Sequence, residues 1–296
     1  MRNRRGSVRV SIVGSGRVAS ALALLFKSKG IPVVSVISRR KVFARRLASL
    51  IGCRLASDRL SDIHPDTNFL LLAVPDDVIV SLAKEISLLT TLDFPHLYCA
   101  HTSGIQTSND LAALAKRKVI VFSLHPMLSF PANLTRREQL EALKNVSYGV
   151  EGSLNATRFA NRLIHRLGGN MFRIPKEAKI LYHTACVFAS NYEVALLGVV
   201  ESLVRTISKT APLAHFRKLT ESSIANAYRK TPAKAITGPA VRGDLRTVRH
   251  HRRELAHTKK KLVNLYTMLG RVALELAVRD KRITRAQAKK MQSIFS

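Results

Sequence analysis

Apolar runs rich in β-branched residues recur through the first part of the chain, at 8–13, 33–37, 68–74, 97–100, 119–123, 147–151 and 171–174. Between most of them, apolar positions return every three or four residues, as at 18–29, 41–51, 77–88 and 154–167. Strands that are apolar throughout have no solvent face, and each is followed by an amphipathic helix. This alternation predicts an α/β domain with a doubly wound, mostly parallel sheet covered by helices on both faces. Pro175 closes this part, and the β pattern then stops. Helical spacing runs through 177–208, 214–229, 242–254, 258–279 and 284–293, punctuated by Pro212, Pro232 and the Gly238-Pro239 pair. The pattern predicts two domains: α/β over 1–174 and all-helical over 175–296.

Composition adjusts this picture modestly. The 296 residues are 46% hydrophobic and 23% charged, enough to bury a substantial core in one large domain or two ordinary ones. No run of about 18 uninterrupted apolar residues occurs, so no membrane span is expected. Gly14, Gly16 and Arg17 interrupt the apolar run behind the basic N-terminus, so that run reads as structure rather than a secretion signal. Cys53, Cys99 and Cys186 lie far apart in apolar surroundings, which suits core packing in a reducing cytoplasm better than a disulfide framework or zinc site.

The charge is the anomaly: 49 Lys+Arg against 19 Asp+Glu, a formal +30. Such a field draws polyanions, so nucleic acid has to be weighed. Both parts of the chain are basic, +14 over 1–174 and +16 over 175–296, so no dedicated binding segment stands out. The densest stretch, 242–261, has no interleaved aromatic residues to stack bases. A solvated basic surface is the reading adopted, and nucleic acid is disfavoured as a partner.

The first predicted strand runs into a turn and helix as VRVSIVGSGRVASA, residues 8–21. Gly14 permits a tight corner, Gly16 lets a pyrophosphate approach the backbone, and Ala19 lets the helix pack closely on the sheet. Gly pairs also occur in plain corners, but a strand before and a helix after make this a Rossmann-type dinucleotide turn formed by Gly14, Ser15, Gly16, Arg17 and Val18. The next strand ends in Ser38-Arg39-Arg40, where an NAD site usually carries an acidic residue for the ribose hydroxyl. Two guanidiniums and a hydroxyl suit a 2′-phosphate, so NADP(H) is the expected cofactor. The competing reading is a pair of solvated arginines.

Strand ends on this side of an open sheet face the ligand crevice. Val74-Pro75 is expected beside the cofactor, with Asp76 or Asp77 capping the following helix, and Ser103 lies in the next strand end, HTSG. His101 and His125 stand at successive strand ends; each alone suits a structural hydrogen bond better than catalysis. In the helical part, Tyr182, His183, Ser190 and Asn191 share one helix, and the seven-residue step from His183 to Ser190 keeps those two on one face. Arg242 precedes Asp244 at a helix start, where Asp244 can cap and Arg242 can fork onto a carboxylate or phosphate, or the two can brace each other. Neither a metal motif nor a hydrolase nucleophile elbow is present.

Together GSGRVA, AVPDDVI, HTSG, HPMLSF, YHTACVFASNYEVALL and TGPAVRGDLRTVRHH resemble a bacterial family in which a Rossmann-like NADP-binding domain precedes a helical domain of unknown function. That family is similar to the superfamily of 6-phosphogluconate dehydrogenase, pyrroline-5-carboxylate reductase and prephenate dehydrogenase. The resemblance implies NADP at Gly14, Gly16 and Arg39, a substrate cleft between the domains, and a homodimer formed through the helical half. It does not carry over the lysine of the β-hydroxyacid branch, whose place four residues before Asn191 holds Val187. The expected activity is hydride transfer between NADP(H) and a small carbonyl or imine. His183 is the expected proton donor or relay, Ser190 and Asn191 the partners of the substrate heteroatom, and Arg242 the anchor of an acidic group. The alternative is a non-catalytic NADP-binding sensor.

Overall fold

The computed structural model describes residues 7–130, 135–210 and 212–292. Eight strands form one sheet: β1 (Val10–Val13), β2 (Val33–Ile37), β3 (Ala56–Ser57), β4 (Phe69–Leu72), β5 (Tyr98–His101), β6 (Ile120–Pro126), β7 (Ser147–Gly152) and β8 (Asn170–Arg173). Their order is β3-β2-β1-β4-β5-β6-β7-β8, and every pair is parallel except β6 with β7. The chain leaves β1 toward β2 and later returns to β4 on its other side. The sheet therefore has its topological switch point between β1 and β4, where open α/β sheets take ligands at the carboxyl ends of the strands.

The helices of this part are α1 (Arg17–Ser28), α2 (Lys41–Ile51), α3 (Ile79–Ser87), α4 (Ala112–Ala115), α5 (Arg136–Ala142) and α6 (Leu154–Leu167). All four residues of β1 and of β4 are buried, as continuous apolar strands require. Alternation divides β4 between two cores: Phe69 and Leu71 join the core under α1, α2 and α6, while Leu70 and Leu72 join the one under α3 and α4. Phe69 lies among Phe26, Phe122 and Phe159, and Tyr98 stacks on Phe159 with ring centroids 3.9 Å apart. Each buried ring contributes about 1.5–3 kcal/mol by leaving water. In α6, Ala156, Phe159, Ala160, Leu163, Ile164 and Leu167 form the buried stripe, and the Ser153 hydroxyl caps the first turn.

The sequence pattern did not announce β3, α4 or α5, which are too short to show a period, nor the reversal of β7. The expected strands and long helices of the first part otherwise appear within a few residues of their predicted limits.

By packing, the chain divides into a unit over 1–195 and another over 196–296. The change from strand to helix pattern lies earlier, at 174–175, because one long helix continues the first unit. It consists of α7 (Lys179–Val187), a π turn (Phe188–Tyr192) and α8 (Glu193–Ile207). Within the second unit lie α9 (Arg217–Arg229), α10 (Pro232–Ala235), α11 (Leu245–Thr258), α12 (Val263–Arg279) and α13 (Arg285–Gln292). Their core is small: Val241, Val248, Leu274, Ala277, Ile283, Ala288 and Met291.

Where no spanning segment was expected, the helix from Lys176 to Ile207 passes the test of length and composition alone: one 18-residue window of it has a mean hydropathy of 1.4. The expectation rested on unbroken apolar runs, and this window reaches that mean despite scattered polar residues. Its first turns are nevertheless docked on the sheet, as the next section shows.

Candidate functional site

The turn after β1 meets the requirements of a phosphate cradle. Gly14 has φ +115° and donates its N–H to Ile37 O at 2.8 Å. A side chain there would run into the Ala73 carbonyl, with Ala73 C only 2.7 Å from its first carbon. Glycine is thus imposed both by backbone conformation and by the close passage of β1 and β4 at the switch point. Gly16 is the N-cap of α1, has open space beside it and offers no side-chain cap. Arg17 and Val18 begin the helix, so the first amides lack intrahelical acceptors and face outward with the positive end of the helix dipole. Ser15 Oγ lies 2.7 Å from Ser38 Oγ, tying the turn to the end of β2.

Arg39 and Arg40 follow β2, both exposed. Arg40 stacks on Phe43, 4.2 Å from the ring centroid. Arg39 joins Lys41 and Arg59 around an open cleft of about 640 Å³, which also contains Ser57, Asp58 and Asp62. Lys41 and Arg59 escaped the sequence reading, because only the fold brings the segment after β3 beside the end of β2. A second cavity, about 700 Å³, starts at Ser15, Gly16 and Arg17 and extends between Phe43, Leu47 and Phe130. Arg17 donates to Phe130 O across it at 3.0 Å.

Past Val74-Pro75, the expected cap of α3 is absent. No side chain caps that helix; Asp76 Oδ2 instead accepts from Ser103 Oγ at 2.8 Å, and its carbonyl accepts from Gln106 Nε2 at 2.7 Å. A short 3₁₀ turn over Asp76–Val78 separates the carboxylate from the first amides of α3, freeing it to reach the neighbouring strand end. Ser103 is buried, and its hydroxyl also accepts from the Ile105 and Gln106 amides. Its side chain is committed to building this turn. His101 is structural: Nδ1 accepts from Ser103 N at 3.2 Å, Nε2 lies 3.0 Å from Thr107 O, and burial lowers its pKa.

The start of α7 lies against these strand ends. Lys179, Tyr182 and His183 are spaced three and four apart and share one face. Lys179 is 1% exposed and donates from Nζ to Ser103 O at 3.0 Å. The Tyr182 hydroxyl lies 2.7 Å from His125 Nδ1, directly above Gly149, the residue paired with His125 across β6 and β7. A side-chain carbon on Gly149 would come within 2.5 Å of Tyr182 Cζ, so the absent side chain is what admits the phenol. Gly104 serves similarly: a carbon there would sit 2.8 Å from His183 Nε2 and 3.1 Å from His125 Nε2. The two imidazoles therefore converge over Gly104, with ring centroids 5.9 Å apart.

The electrostatics follow from burial. Desolvation, then the charge of Lys179 and then His183, push the His125 pKa down to about 4. Desolvation also lowers Lys179 to about 8, against the opposing pull of Glu151 and Asp76. Burial and the neighbouring Cys186 raise Tyr182, so the phenol keeps its proton.

Of the residues expected to carry chemistry, His183 is thus joined by His125, Tyr182 and Lys179. Ser190, half-buried, and Asn191, exposed, lie in the π turn. The seven-residue step from His183 assumed an unbroken α pitch, which this turn interrupts. Arg242 is exposed in the second unit, two residues before Asp244, whose carboxylate caps α11 by accepting from Thr247 N at 3.0 Å and Thr247 Oγ1 at 2.6 Å. Lys179 was missed because a lysine in a helical pattern reads as solvent-facing. Gly104, in the turn after β5, and Gly149, on β7, make room for His183 and Tyr182 and are the signal that side chains of α7 dock there.

Two family models match this chain: a Rossmann-like domain over residues 1–126 and a domain of unknown function, DUF2520, over residues 146–273. The chain carries a Rossmann-like domain followed by a DUF2520 domain. No curated protein matches it. Among solved structures, this chain is similar to TM1727 from Thermotoga maritima, at 24% identity over 92% of this chain and 99% of that one, TM-score 0.73. It is also similar to a Bacteroides fragilis protein assigned as an NADP oxidoreductase, at 21% identity over 91% and 98%, TM-score 0.71. A third similar structure is prephenate dehydrogenase from Aquifex aeolicus in complex with hydroxyphenyl propionate and NAD⁺, at 13% identity over 93% and 100%, TM-score 0.56. At these identities the likeness establishes the shared fold.

Proposed function

We propose that this protein is an NADP(H)-dependent oxidoreductase acting on a small carbonyl or imine compound that carries an acidic group. One observation carries the reading: the glycine turn at the switch point and the imidazole pair stand at the carboxyl ends of one parallel set of strands, β1, β4, β5 and β6. A nucleotide held at the first would reach toward the second. The solved relatives include an assigned NADP oxidoreductase and a dehydrogenase bound to NAD⁺, which supports a nicotinamide cofactor without choosing between the two. The choice rests on this chain's cations.

The residues present fit the cofactor. The uncapped amides of α1, with Gly14, Ser15 and Gly16, would hold the pyrophosphate, and Arg39 and Arg40, aided by Ser38, Lys41 and Arg59, the 2′-phosphate. Val74, Pro75 and Ser103 shape the turns alongside. When bound, the cofactor supplies or accepts the hydride. The protein moves the proton: His183 donates or relays it, and Ser190 and Asn191 hydrogen-bond the substrate heteroatom. Arg242 pairs with the acidic group.

The same reading makes the protein a cytoplasmic homodimer joined through its helical half. In support, Leu265, Met268, Leu269 and Val272 form an exposed apolar stripe at helical spacing along α12, and the three cysteines are free thiols.

Calorimetric titration with NADPH and NADH tests the cofactor. NADPH should bind at least tenfold more tightly, and Arg39→Ala with Arg40→Ala should weaken it by about 10–100-fold while leaving NADH unchanged. Equal affinity for the two nucleotides would refute the assignment.

A further inference from the structure

The cluster at the start of α7 contains a buried cation to which the mechanism above gives no work. Lys179 reaches inward from the helix, and its Nζ is spent on a backbone carbonyl, Ser103 O, rather than on a carboxylate. A buried ammonium is costly, and a purely structural contact to one carbonyl would be made as well by a neutral donor. The cation stands beneath the groups that converge over Gly104. Its Nζ is 5.6 Å from the Tyr182 ring centroid, and Tyr182 in turn holds His125.

We propose that Lys179 is the positioning residue of this site: it clamps the Ser103–Gly104 turn against α7 and, through Tyr182, fixes the His125 ring over Gly104. This rests on the functional reading above and deepens it by dividing labour between the imidazoles. In this arrangement the Tyr182 hydroxyl, 2.7 Å from His125 Nδ1, is assigned as the donor, which leaves Nε2–H of the neutral ring pointing at Gly104 as a donor for a substrate oxygen. His183 remains the proton-transferring partner. Paired titratable groups whose surroundings set them apart are how one site keeps a donor and an acid distinct.

The other charged and titratable groups around this centre do not duplicate the function. From α7, His183, Tyr182 and Cys186 face it; from β7, Glu151; from the turn after β4, Asp76; and from β5 and its loop, His101 and Asp110. Glu151 is engaged by Ser108, whose N–H and hydroxyl donate to it at 2.7 and 2.8 Å. Asp76 is engaged by Ser103. Both carboxylates moderate the ammonium without bonding it.

The test is an NMR pH titration of the His125 ring in the full-length protein, assigned with a His125→Gln variant, together with amide exchange. In the unmodified chain the midpoint should lie near about 4. Lys179→Met keeps the bulk and removes the charge; it should raise the midpoint by about one pH unit. It should also speed exchange of the Ile105 and Gln106 amides, which bond Ser103 Oγ, by about tenfold. An unchanged midpoint with unchanged exchange overturns the proposal. Should Lys179→Met fail to fold, Lys179→Arg retains the charge and must retain the low midpoint; a rise toward the value of free histidine in that variant also overturns it. None of these readouts needs a cofactor. Failure to bind NADPH would sink the enzymatic reading alone, whereas a His125 indifferent to Lys179 would sink this one alone.

Discussion

The two units of this chain solve the burial problem differently. In the sheet unit, strands β1 and β4 are sealed on both faces, and an aromatic cluster fills the space below α1 and α6. In the helical unit, α9 buries no residue, α8 buries only Val204, and α12 only Leu274 and Ala277. Meanwhile Leu219, Tyr228 and Met268 are 65%, 81% and 57% exposed. A sheet satisfies its backbone within one chain and then needs only helices to cover it. A set of amphipathic helices with broad apolar faces needs a further surface, which the proposed second copy would supply. On the proposed reading, the first unit is organised around a site and the second around an encounter.

Truncation in the cores should separate the units most strongly. Phe69→Ala, at the centre of the aromatic cluster, should cost about 3–5 kcal/mol in chemical unfolding monitored on the sheet unit. A loss below about 1 kcal/mol would mean that the cluster contributes little and the contrast is overdrawn.

Acid should act next, and on the same unit. His125 and His101 are held neutral by burial, so the unfolded chain binds more protons than the folded one once pH falls below about 6.5. Stability is therefore complete above that value and declines as pH drops toward about 4, with His125 alone accounting for about 3 kcal/mol. Urea midpoints measured across this window should fall for sheet amides in hydrogen exchange. A flat profile would show that His125 is not desolvated.

The smallest effect is expected on the helical side. Leu269→Asp, in the exposed stripe of α12, should leave the sheet unit untouched but weaken self-association by about 2 kcal/mol, read by sedimentation velocity. A monomer in both proteins, or a dimer indifferent to the change, would remove α12 from the interface.

How much of this was legible beforehand differs along the same line. Short continuous apolar runs such as Phe69–Leu72, bounded by turn residues, read as interior strands, and the glycine turn with Arg39 and Arg40 stood plainly in the sequence. The turn of Asp76 away from α3 was hidden, because a 3₁₀ segment leaves no mark in a residue pattern. Lys179 was hidden for a deeper reason. Its burial is decided by where α7 lands, and that depends on two glycines far away in sequence, Gly104 in the turn after β5 and Gly149 on β7, which admit His183 and Tyr182 of the same helix. Sequence periodicity records what an element needs from its surroundings, and it does not record which distant element provides it.

The π turn within the long helix carries one more implication. Five residues there occupy what an α-helix would fill with fewer, so Glu193, Val194 and Ala195 are rephased by roughly 100° relative to the face that holds Lys179 and Tyr182. Excising a single residue between Phe188 and Tyr192 would restore ordinary winding and return those three to the pitch of the docked face. The bulge is in effect a gear tooth, offsetting the turn that follows it by one step.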